Sequence, residues 1–329
     1  MMWKAVCCAV QGRSHIKSGI PCQDKVYQKS TDRISVIALA DGAGSAKLSH
    51  YGAECVVKCV SALVVEHFEE FIQCQDGQQV REVILNHILQ TLHNQAWILK
   101  CTLEDLASTL LVAAVSDEDC LLIHVGDGVI GYLDNSELKV ASIPENGEFS
   151  NSTVFVTSKD ALASMRLFKS KLKNISGFVL MSDGSEQTLY HKRDRKLSPV
   201  LINLMRRTCL LEQQQMERQL QESVSTVLRS YTLDDCSLAI LARPIGTLQP
   251  VEQMQYEDRR TLYRIKNTDV HQRKRVSRYD TILAACNEAK TLQQISHQIH
   301  LAPKHTRKHI DQLVWIGVLS RSGMKYSRV

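Results

Sequence analysis

The 329-residue sequence contains little proline, no paired-cysteine motif and no long apolar run. Its 6 prolines, 44% hydrophobic residues and 23% charged residues are typical of a folded protein and exclude a disordered or fibrous chain. No run approaches the roughly 18 apolar residues that a membrane-spanning helix needs, and the apolar stretch at the N-terminus is too short for a signal peptide. We therefore expect a protein that neither crosses nor enters a membrane.

The cysteines and the absent motifs exclude further classes of protein. The 11 cysteines are odd in number, scattered and never spaced as CxxC, so neither a disulfide framework nor a zinc site is indicated. Several lie in apolar runs, where a free cysteine behaves as a small apolar side chain in a reducing compartment, and this predicts a cytoplasmic protein. The absence of GxxxxGKS/T, GxSxG and HExxH excludes P-loop, α/β-hydrolase and zincin chemistry.

Apolar runs of strand length dominate the first 242 residues, and helical periodicity lies between them in separate blocks. The short polar turn DEDC at 117–120 predicts a hairpin, which favours antiparallel pairing. Strand blocks with helices set apart from them predict an α+β fold. The predicted strands are residues 4–12, 33–41, 108–116, 120–126, 129–134, 152–158, 177–183 and 236–242, and the predicted helices are about residues 46–71, 80–100 and 199–228.

The character of the chain changes after Arg243. Residues 244–278 have little apolar periodicity and a basic cluster, RKRVSR, so we interpret them as a linker with one short strand at TLYRI. Residues 279–329 regain helical spacing and end in a predicted two-stranded ribbon around Gly323. The domain prediction is therefore 1–243, a linker at 244–278, and 279–329. Residues 244–329 contain 15 Lys and Arg against 7 Asp and Glu, or +8, which leaves 25 against 28, or −3, for residues 1–243.

Aspartates stand at the ends of several predicted strands, and two of them precede glycine. Carboxylates that converge from different strands repel one another unless a cation lies between them, and oxygen ligands without paired His or Cys favour Mg²⁺ or Mn²⁺. Any single Asp-Gly pair is more often only a turn, whereas the joint pattern favours a metal site. The aspartates are Asp24, Asp41, Asp127, Asp183 and the pair Asp234-Asp235.

The order of the motifs CQD, ALADGAG, HVGDG, VLMSDG and DDCSLAIL resembles the metal-dependent type 2C protein serine/threonine phosphatases, in particular a bacterial subgroup, over residues 4–242. The resemblance implies a central antiparallel β-sandwich flanked by helix pairs, with a binuclear Mg²⁺ or Mn²⁺ site at one end and room for a weaker third ion. Water activated by two ions attacks phosphorus directly, so this chemistry requires no protein nucleophile.

The resemblance also assigns ligands by motif. Asp41 is expected to bridge the two ions and Gly42 to offer its carbonyl oxygen, while Asp183 and Asp234 complete the shell of the other ion. Asp24 is expected to act through bound water, and Asp127 to bind the third ion.

Two positions in these motifs leave alternatives open. Asp234 is chosen from its pair because Ser237 fits the family register of Asp, Asn or Asp, any residue, then Ser or Thr, and Asp235 is the alternative ligand. Gln23 stands where the family often has a glutamate, which removes one charge but no expected direct ligand.

The GRSH motif departs from the family, which usually has a phosphate-binding arginine where this chain has His15. Arginine binds phosphate in a bidentate manner that histidine does not reproduce. Either Arg13, two residues earlier, substitutes for it, or His15 binds phosphate or protonates the leaving alkoxide. A third alternative is a hydrogen-bonded structural histidine.

Residues 291–323 resemble the core of a winged helix-turn-helix. Thr291 would open its first helix, residues 301–302 would form the turn, residues 304–313 the second helix, and the wing would follow Gly317. Basic residues on the exposed side of the second helix suit phosphate contacts, although such a face is often only solvated and many winged helices bind proteins. These residues are Lys304, His305, Arg307 and Lys308.

The leading hypothesis is a protein serine/threonine phosphatase. Its expected partners are a phosphorylated serine/threonine protein, either a cognate kinase or the target of one, and DNA or a protein at the C-terminal domain. One alternative is a DNA-binding or signalling regulator that uses the phosphatase-like domain as a sensor or scaffold. Another is a pseudophosphatase that binds phosphorylated partners without turnover.

Overall fold

The chain divides into two units, Met1–Pro244 and Ile245–Val329, in a computed structural model that describes residues 2–144 and 153–329. The division lies within one residue of the boundary expected from the change in sequence character. Across those described ranges, no helix combines the length and apolarity that crossing a membrane requires.

Two five-stranded sheets form the centre of the first unit, and every pairing between their strands is antiparallel. One sheet has the order β1-β12-β9-β6-β7 and the other has the order β2-β3-β4-β5-β8. The strands of this unit are β1 (Lys4–Val10), β2 (Lys25–Ser30), β3 (Ser35–Ala40), β4 (Leu110–Val115), β5 (Asp119–Val125), β6 (Val129–Asp134), β7 (Glu137–Ser142), β8 (Arg166–Lys171), β9 (Ile175–Met181), β10 (Tyr190–His191), β11 (Lys196–Leu197) and β12 (Cys236–Ala242).

Helices cover the outer faces of both sheets. The long helices α2 and α3 pack on the second sheet, and α6 and α7 pack on the first. The helices are α1 (Arg13–Ser18), α2 (Ser49–Gln73), α3 (Gly77–Leu99), α4 (Ala161–Ser164), α5 (Asp183–Leu189), α6 (Val200–Leu210), α7 (Gln213–Ser223) and α8 (Arg229–Tyr231). The expected antiparallel α+β fold is therefore confirmed.

The period-two alternation of β3 divides its side chains between two cores. Val36 and Ala38 pack among the residues of α2 and α3, whereas Ile37 and Leu39 face the core between the two sheets. Because both faces of the strand are buried, its sequence is apolar throughout rather than alternating. Such a strand is held at a fixed register by packing on both sides, which makes its end a rigid place for a functional side chain.

Three parts of the first unit differ from the sequence prediction. The predicted strand at 152–158 is not a strand over its described residues 153–158, where Val154 and Val156 are buried as loop residues; residue 152 lies outside the described residues. The edge strands β2, β7 and β8 were not predicted because their side chains are polar and only half-buried. The helix predicted over 199–228 is interrupted between Leu210 and Gln213.

The second unit has its own core, formed by helices and a three-stranded sheet of order β13-β15-β14. Its helices are α9 (Tyr256–Leu262), α10 (Gln272–Ala285), α11 (Leu292–Gln298) and α12 (Pro303–Trp315), and its strands are β13 (Lys290–Thr291), β14 (Leu319–Ser322) and β15 (Lys325–Arg328). Thr291 caps α11 through a reciprocal pair of hydrogen bonds with Gln294, which explains why this helix begins where the sequence indicates.

The linker interpretation of residues 244–278 requires correction. Met254, Tyr263 and Ile265 are buried in the same core as the C-terminal helices, and the Tyr263 hydroxyl donates a hydrogen bond to Asp280 Oδ1 at 2.6 Å. TLYRI is the end of α9 and the turn after it, not a strand. Short helices with irregularly spaced apolar residues have too little periodicity for sequence analysis to detect.

Replacing Phe178 should destabilise the sandwich. This side chain is buried between the sheets, where its ring lies 6.1 Å from that of Trp3. We expect Phe178→Ala to lower the free energy of unfolding of this unit by about 3–5 kcal/mol, because it leaves a cavity in a packed core. The control is Phe168→Ala on the edge strand β8, where 39% of the residue is exposed. Urea unfolding followed by circular dichroism compares them, and equal losses would contradict this packing.

Candidate active site

One pocket at the end of the sandwich collects most of the residues expected in a metal site. The ends of β3, β5 and β9 and the start of β12 lie at this end because of their antiparallel register. The pocket has a volume of about 200 Å³. It is lined by His15, Gln23, Asp41, Gly42, Ala43, Gly44, Thr109, Asp127, Thr153, Phe155, Asp183 and Asp234. Of the expected residues, Asp24 and Arg13 are not in this lining.

Asp41 lies at the end of β3, where Thr109 holds its backbone on both sides. The Asp41 amide donates to Thr109 Oγ1 at 2.9 Å, and the Thr109 amide donates to the Asp41 carbonyl at 2.8 Å. Burial raises the pKa of the Asp41 carboxyl well above its ordinary value, and the negative charges of Asp24 and Asp183 raise it further. The carboxylates around Asp41 therefore repel one another when they are ionised, and this arrangement favours a bound cation.

Asp24 lies beneath the pocket and is only 1% exposed. Its Oδ2 accepts a hydrogen bond from Ser182 Oγ at 2.8 Å, whereas its buried Oδ1 has no hydrogen-bond partner in the described residues. Burial, followed by the charge of Asp235, raises the pKa of Asp24 to about 7. A buried carboxylate oxygen without a donor is costly, and this cost is relieved by a proton, a water molecule or a cation.

Asp183 begins α5 directly after β9, and its buried Oδ1 likewise has no partner within the described ranges. Burial, then the charges of Asp234 and Asp127, raises the pKa of Asp183 to about 6. Asp127 differs because Thr153 Oγ1 donates a hydrogen bond to its Oδ2 at 2.7 Å.

The donor set fits Mg²⁺ or Mn²⁺. It consists of carboxylate oxygens and backbone carbonyls, which these hard cations prefer, and two of its buried oxygens have no other partner. In residues 2–144 and 153–329, no three His, Cys, Asp or Glu side chains already form a set of metal ligands.

The two adjacent aspartates before β12 have opposite environments. Asp234 is exposed at the pocket, whereas Asp235 is only 2% exposed. Both oxygens of Asp235 accept hydrogen bonds at 2.6 Å, Oδ1 from the amide of Gly12 and Oδ2 from the amide of Gln23. Oδ1 also lies 2.9 Å from Nδ1 of His15. Asp235 thus connects the GRSH, CQD and DDCS motifs through one buried carboxylate.

The GRSH motif brings His15 to the pocket and leaves Arg13 outside its lining. Arg13 is exposed, and its Nε donates to the Thr232 carbonyl at 3.0 Å. Gly12 allows the close approach of this loop, because a Cβ at this position would lie 2.3 Å from the carbonyl carbon of Asp234. Glycine is therefore needed here for its lack of a side chain.

Residues 11–225 match the family model described as protein phosphatase 2C. The chain belongs to the protein phosphatase 2C family. It is a metal-dependent protein serine/threonine phosphatase, and the function expected from the order of its aspartate motifs is confirmed.

Similar proteins agree with the family assignment. Serine/threonine-protein phosphatase 3 of Escherichia coli strain K12 is 27% identical over 175 residues, which cover 52% of this chain and 69% of that protein. The serine/threonine phosphatase Stp1 from Staphylococcus aureus aligns with a TM-score of 0.51 at 16% identity, covering 74% of this chain and 96% of its own. A bacterial serine phosphatase aligns with a TM-score of 0.52 at 15% identity, covering 73% and 98%. The two structures establish the shared fold.

Several polar residues of this phosphatase site were not predicted from the sequence. Thr109, Ser182 and Thr153 each hydrogen-bond a site aspartate, but single hydroxyl residues beside strands carry no recognisable motif. Glu186 is 1% exposed and forms an ion pair with Lys192. The sequence did contain a signal for Glu186, because this residue stands three positions after Asp183. That spacing places the two carboxyls on one side of α5.

The pH dependence of stability should identify the crowded carboxylates. An unfolded Asp ionises near pH 4, whereas the folded protein holds these protons to higher pH, so their stabilising contribution falls as pH rises from about 4 towards 7. In EDTA we expect Asp41→Asn to melt about 2–4 °C above the wild type at pH 7.5, with a smaller difference at pH 4.5, because it removes one of the repelling charges.

Adding Mn²⁺ at pH 7.5 should then raise the melting temperature of the wild type but not of Asp41→Asn. The control is Asp119→Asn, at the opposite end of β5 from Asp127, which should respond like the wild type. Equal stabilisation of Asp41→Asn by Mn²⁺ would show that Asp41 does not bind the ion. Differential scanning fluorimetry provides the measurement.

Proposed function

We propose that this phosphatase hydrolyses phosphoserine and phosphothreonine in proteins at the pocket beside Asp41. The observation that carries the proposal is the convergence of carboxylates from separate strand ends on one pocket, with buried Oδ1 atoms of Asp24 and Asp183 that have no other partner among the described residues. A phosphorylated kinase, or the target of a kinase, is the proposed substrate class, and free cysteines throughout are compatible with a cytoplasmic location.

The proposed ligands are the residues named by the motifs, and they would hold two ions and a weaker third. When bound, these ions lower the pKa of water and neutralise charge on the phosphoryl oxygens. Asp234 is favoured over Asp235 because both oxygens of Asp235 already accept close hydrogen bonds. The set comprises Asp41, the Gly42 carbonyl, Asp183 and Asp234, with Asp24 acting through water and Asp127 at the third ion.

We assign His15 the role of general acid for the leaving alkoxide. Its Nδ1 is engaged by Asp235, so Nε2 is the nitrogen available to a ligand in the pocket. The hydrogen bond to Asp235 fixes the orientation of the ring, which makes Asp235 a positioning residue. Arg13 is not assigned a role in phosphate binding, because its Nε hydrogen-bonds Thr232 and it does not line the pocket.

Gln23 positions the loop after Asp41 instead of contributing charge. Its Nε2 donates to Ser49 Oγ at 2.6 Å, and its backbone amide donates to Asp235. The Gly42 amide donates to the Gln23 carbonyl at 3.2 Å, and Gln23 Nε2 donates to the Ala43 carbonyl at 3.4 Å, so the loop after Asp41 is tied to the CQD segment. This arrangement accounts for a neutral residue at the position where the family often has a glutamate.

We further propose that the second unit is a winged helix that binds DNA or a protein. Its element order, α10-β13-α11-α12-β14-β15, and its three-stranded sheet support this assignment. The exposed residues Lys304, His305, Arg307 and Lys308 lie on α12, whose Thr306, Ile310 and Leu313 are buried.

Asp41→Asn should abolish turnover. We expect kcat/KM on a phosphothreonine peptide with Mn²⁺ to fall by about 10³-fold or more, because the carboxylate that would hold the ions is lost. Asp119→Asn, which weakens the ion pair with Lys171 at the opposite end of β5, should stay within about twofold of the wild type. A folded Asp41→Asn protein with a tenth of wild-type activity would overturn the ligand assignment.

His15→Asn should lower the rate of hydrolysis by an amount that depends on the leaving group of the substrate. A general acid matters most for an alkoxide, so we expect about a 10²-fold lower kcat on a phosphothreonine peptide and less than about a tenfold loss on an aryl phosphate, whose leaving group needs no proton. Asp235→Asn should show the same selectivity to a smaller degree. The control is His67→Asn, which removes a surface pairing with Glu70. Equal losses on both substrates would rule out the general-acid role.

A further inference from the structure

We propose that α10 and α12 together form one surface that binds the phosphates of a nucleic-acid duplex. The inference rests on the proposed winged-helix assignment of the second unit and is independent of the phosphatase function. The surface, called here the basic face, consists of Lys274 and Arg278 on α10 and Lys304, Arg307 and Lys308 on α12. We assign nucleic acid, rather than an acidic protein, as the binding partner of this surface.

The positive charge of the basic face is not compensated by neighbouring carboxylates. No carboxylate in the described part of the chain forms an ion pair with any of its five side chains, and all five residues are exposed. Asp311 lies on α12 one turn from Arg307 and reduces the net charge by one. The other acidic residues of this unit are mostly paired elsewhere, as Glu252–Arg328, Glu257–Arg260, Asp269–Arg275 and Asp280–Arg259.

Contacts between the two helices make the basic face continuous. The rings of Tyr279 on α10 and His309 on α12 meet edge to face, with centroids 5.3 Å apart. Burial lowers the pKa of His309, and the positive charges of Arg278 and Lys308 lower it further. Arg278 of α10 and Lys308 of α12 therefore both lie close to His309, although thirty positions separate them in the sequence.

A groove on the α10 side supplies hydroxyl groups beside the cations. It has a volume of about 310 Å³ and lies between α10 and residues 299–301, which join α11 to α12. Lys274, Ser277, Arg278 and Thr281 line its α10 wall. The ammonium of Lys274, the guanidinium of Arg278 and the hydroxyl of Ser277 are donors that suit the oxygens of a phosphodiester backbone. The Thr281 hydroxyl instead donates to the Ser277 carbonyl at 2.9 Å.

The composition of the basic face favours nucleic acid over an acidic protein. Protein interfaces depend on a central cluster of large apolar or aromatic side chains. The large apolar residue exposed on α12 is Trp315, and the guanidinium of Arg264 covers its ring at 4.0 Å from the centroid. The 13 residues of α12 span about 20 Å, and a helix of this kind fits the major groove of a duplex.

The test uses the full-length protein and a fluorescein-labelled 20-base-pair duplex of mixed sequence. Its ends are 5′-hydroxyls, so the phosphatase site has no phosphomonoester to bind. We expect micromolar affinity at about 100 mM salt, and a slope of log K against log salt of about −4 to −5 from five phosphate contacts. Fluorescence anisotropy between 50 and 200 mM KCl gives both quantities.

Two sets of variants test whether both helices contribute. Lys304→Ala/Arg307→Ala/Lys308→Ala should weaken binding at least tenfold and reduce the slope by about 3, and Lys274→Ala/Arg278→Ala should weaken it about fivefold and reduce the slope by about 2. The matched control for the second set is Lys266→Ala/Lys290→Ala, two cations of the same unit outside the basic face, which should change the affinity less than twofold. An unchanged affinity of the α10 double variant would overturn the composite surface.

Two further measurements identify the class of partner and distinguish a failure of this proposal from a failure of the phosphatase assignment. Polyglutamate at the same charge concentration should not bind, and binding equal to that of the duplex would show that the face recognises acidic polymers in general. Asp41→Asn should bind the duplex like the wild type, and the α12 triple variant should keep wild-type activity on an aryl phosphate. Absence of duplex binding by the folded wild type at 50 mM salt would refute the proposal.

Discussion

Uncompensated negative charge at one end of the sandwich is the constraint on which the rest of the first unit depends. Asp41 and Asp183 follow the buried strands β3 and β9, and Asp24 is buried beneath the pocket, so the three carboxylates are held close together despite their repulsion. Burial and mutual repulsion raise the pKa of each, which means that the folded chain carries this charge at a cost in stability. Binding of divalent cations offsets that cost and at the same time creates the chemistry of the site.

The carboxylate of Asp235 is also buried, but its environment is the opposite of that around Asp24. Its carboxylate is as deeply buried as that of Asp24, but backbone amides from two segments and the imidazole of His15 hydrogen-bond it. One buried charge therefore joins three motifs that are far apart in sequence, and it orients the histidine that replaces the usual arginine of the family. The two adjacent aspartates of the DDCS motif therefore have different environments. Asp234 lies at the pocket and Asp235 lies beneath it.

The aspartate motifs made most of the site predictable, because each one combines an apolar strand with a carboxylate at its end. The hydroxyl residues that hold these carboxylates were not predictable. Thr109 contacts Asp41 across 68 positions and Ser182 contacts Asp24 across 158, and no local pattern records such distances. The same limit applies to the polar edge strands and to residues 251–265, whose burial in the second core depends on partners that follow them in the chain.

The sequence alone determined the α+β class, the boundary near residue 244, the division of charge between the two parts and the family chemistry, because periodicity, composition and motif order are local properties. Only the tertiary structure decided that His15 lines the pocket and Arg13 does not, that both oxygens of Asp235 accept hydrogen bonds, and that Tyr279 of α10 meets His309 of α12. Each of these depends on contacts between segments that are distant in the sequence. Those contacts decide whether the polar atoms of a carboxylate or an imidazole are already hydrogen-bonded or can reach a ligand.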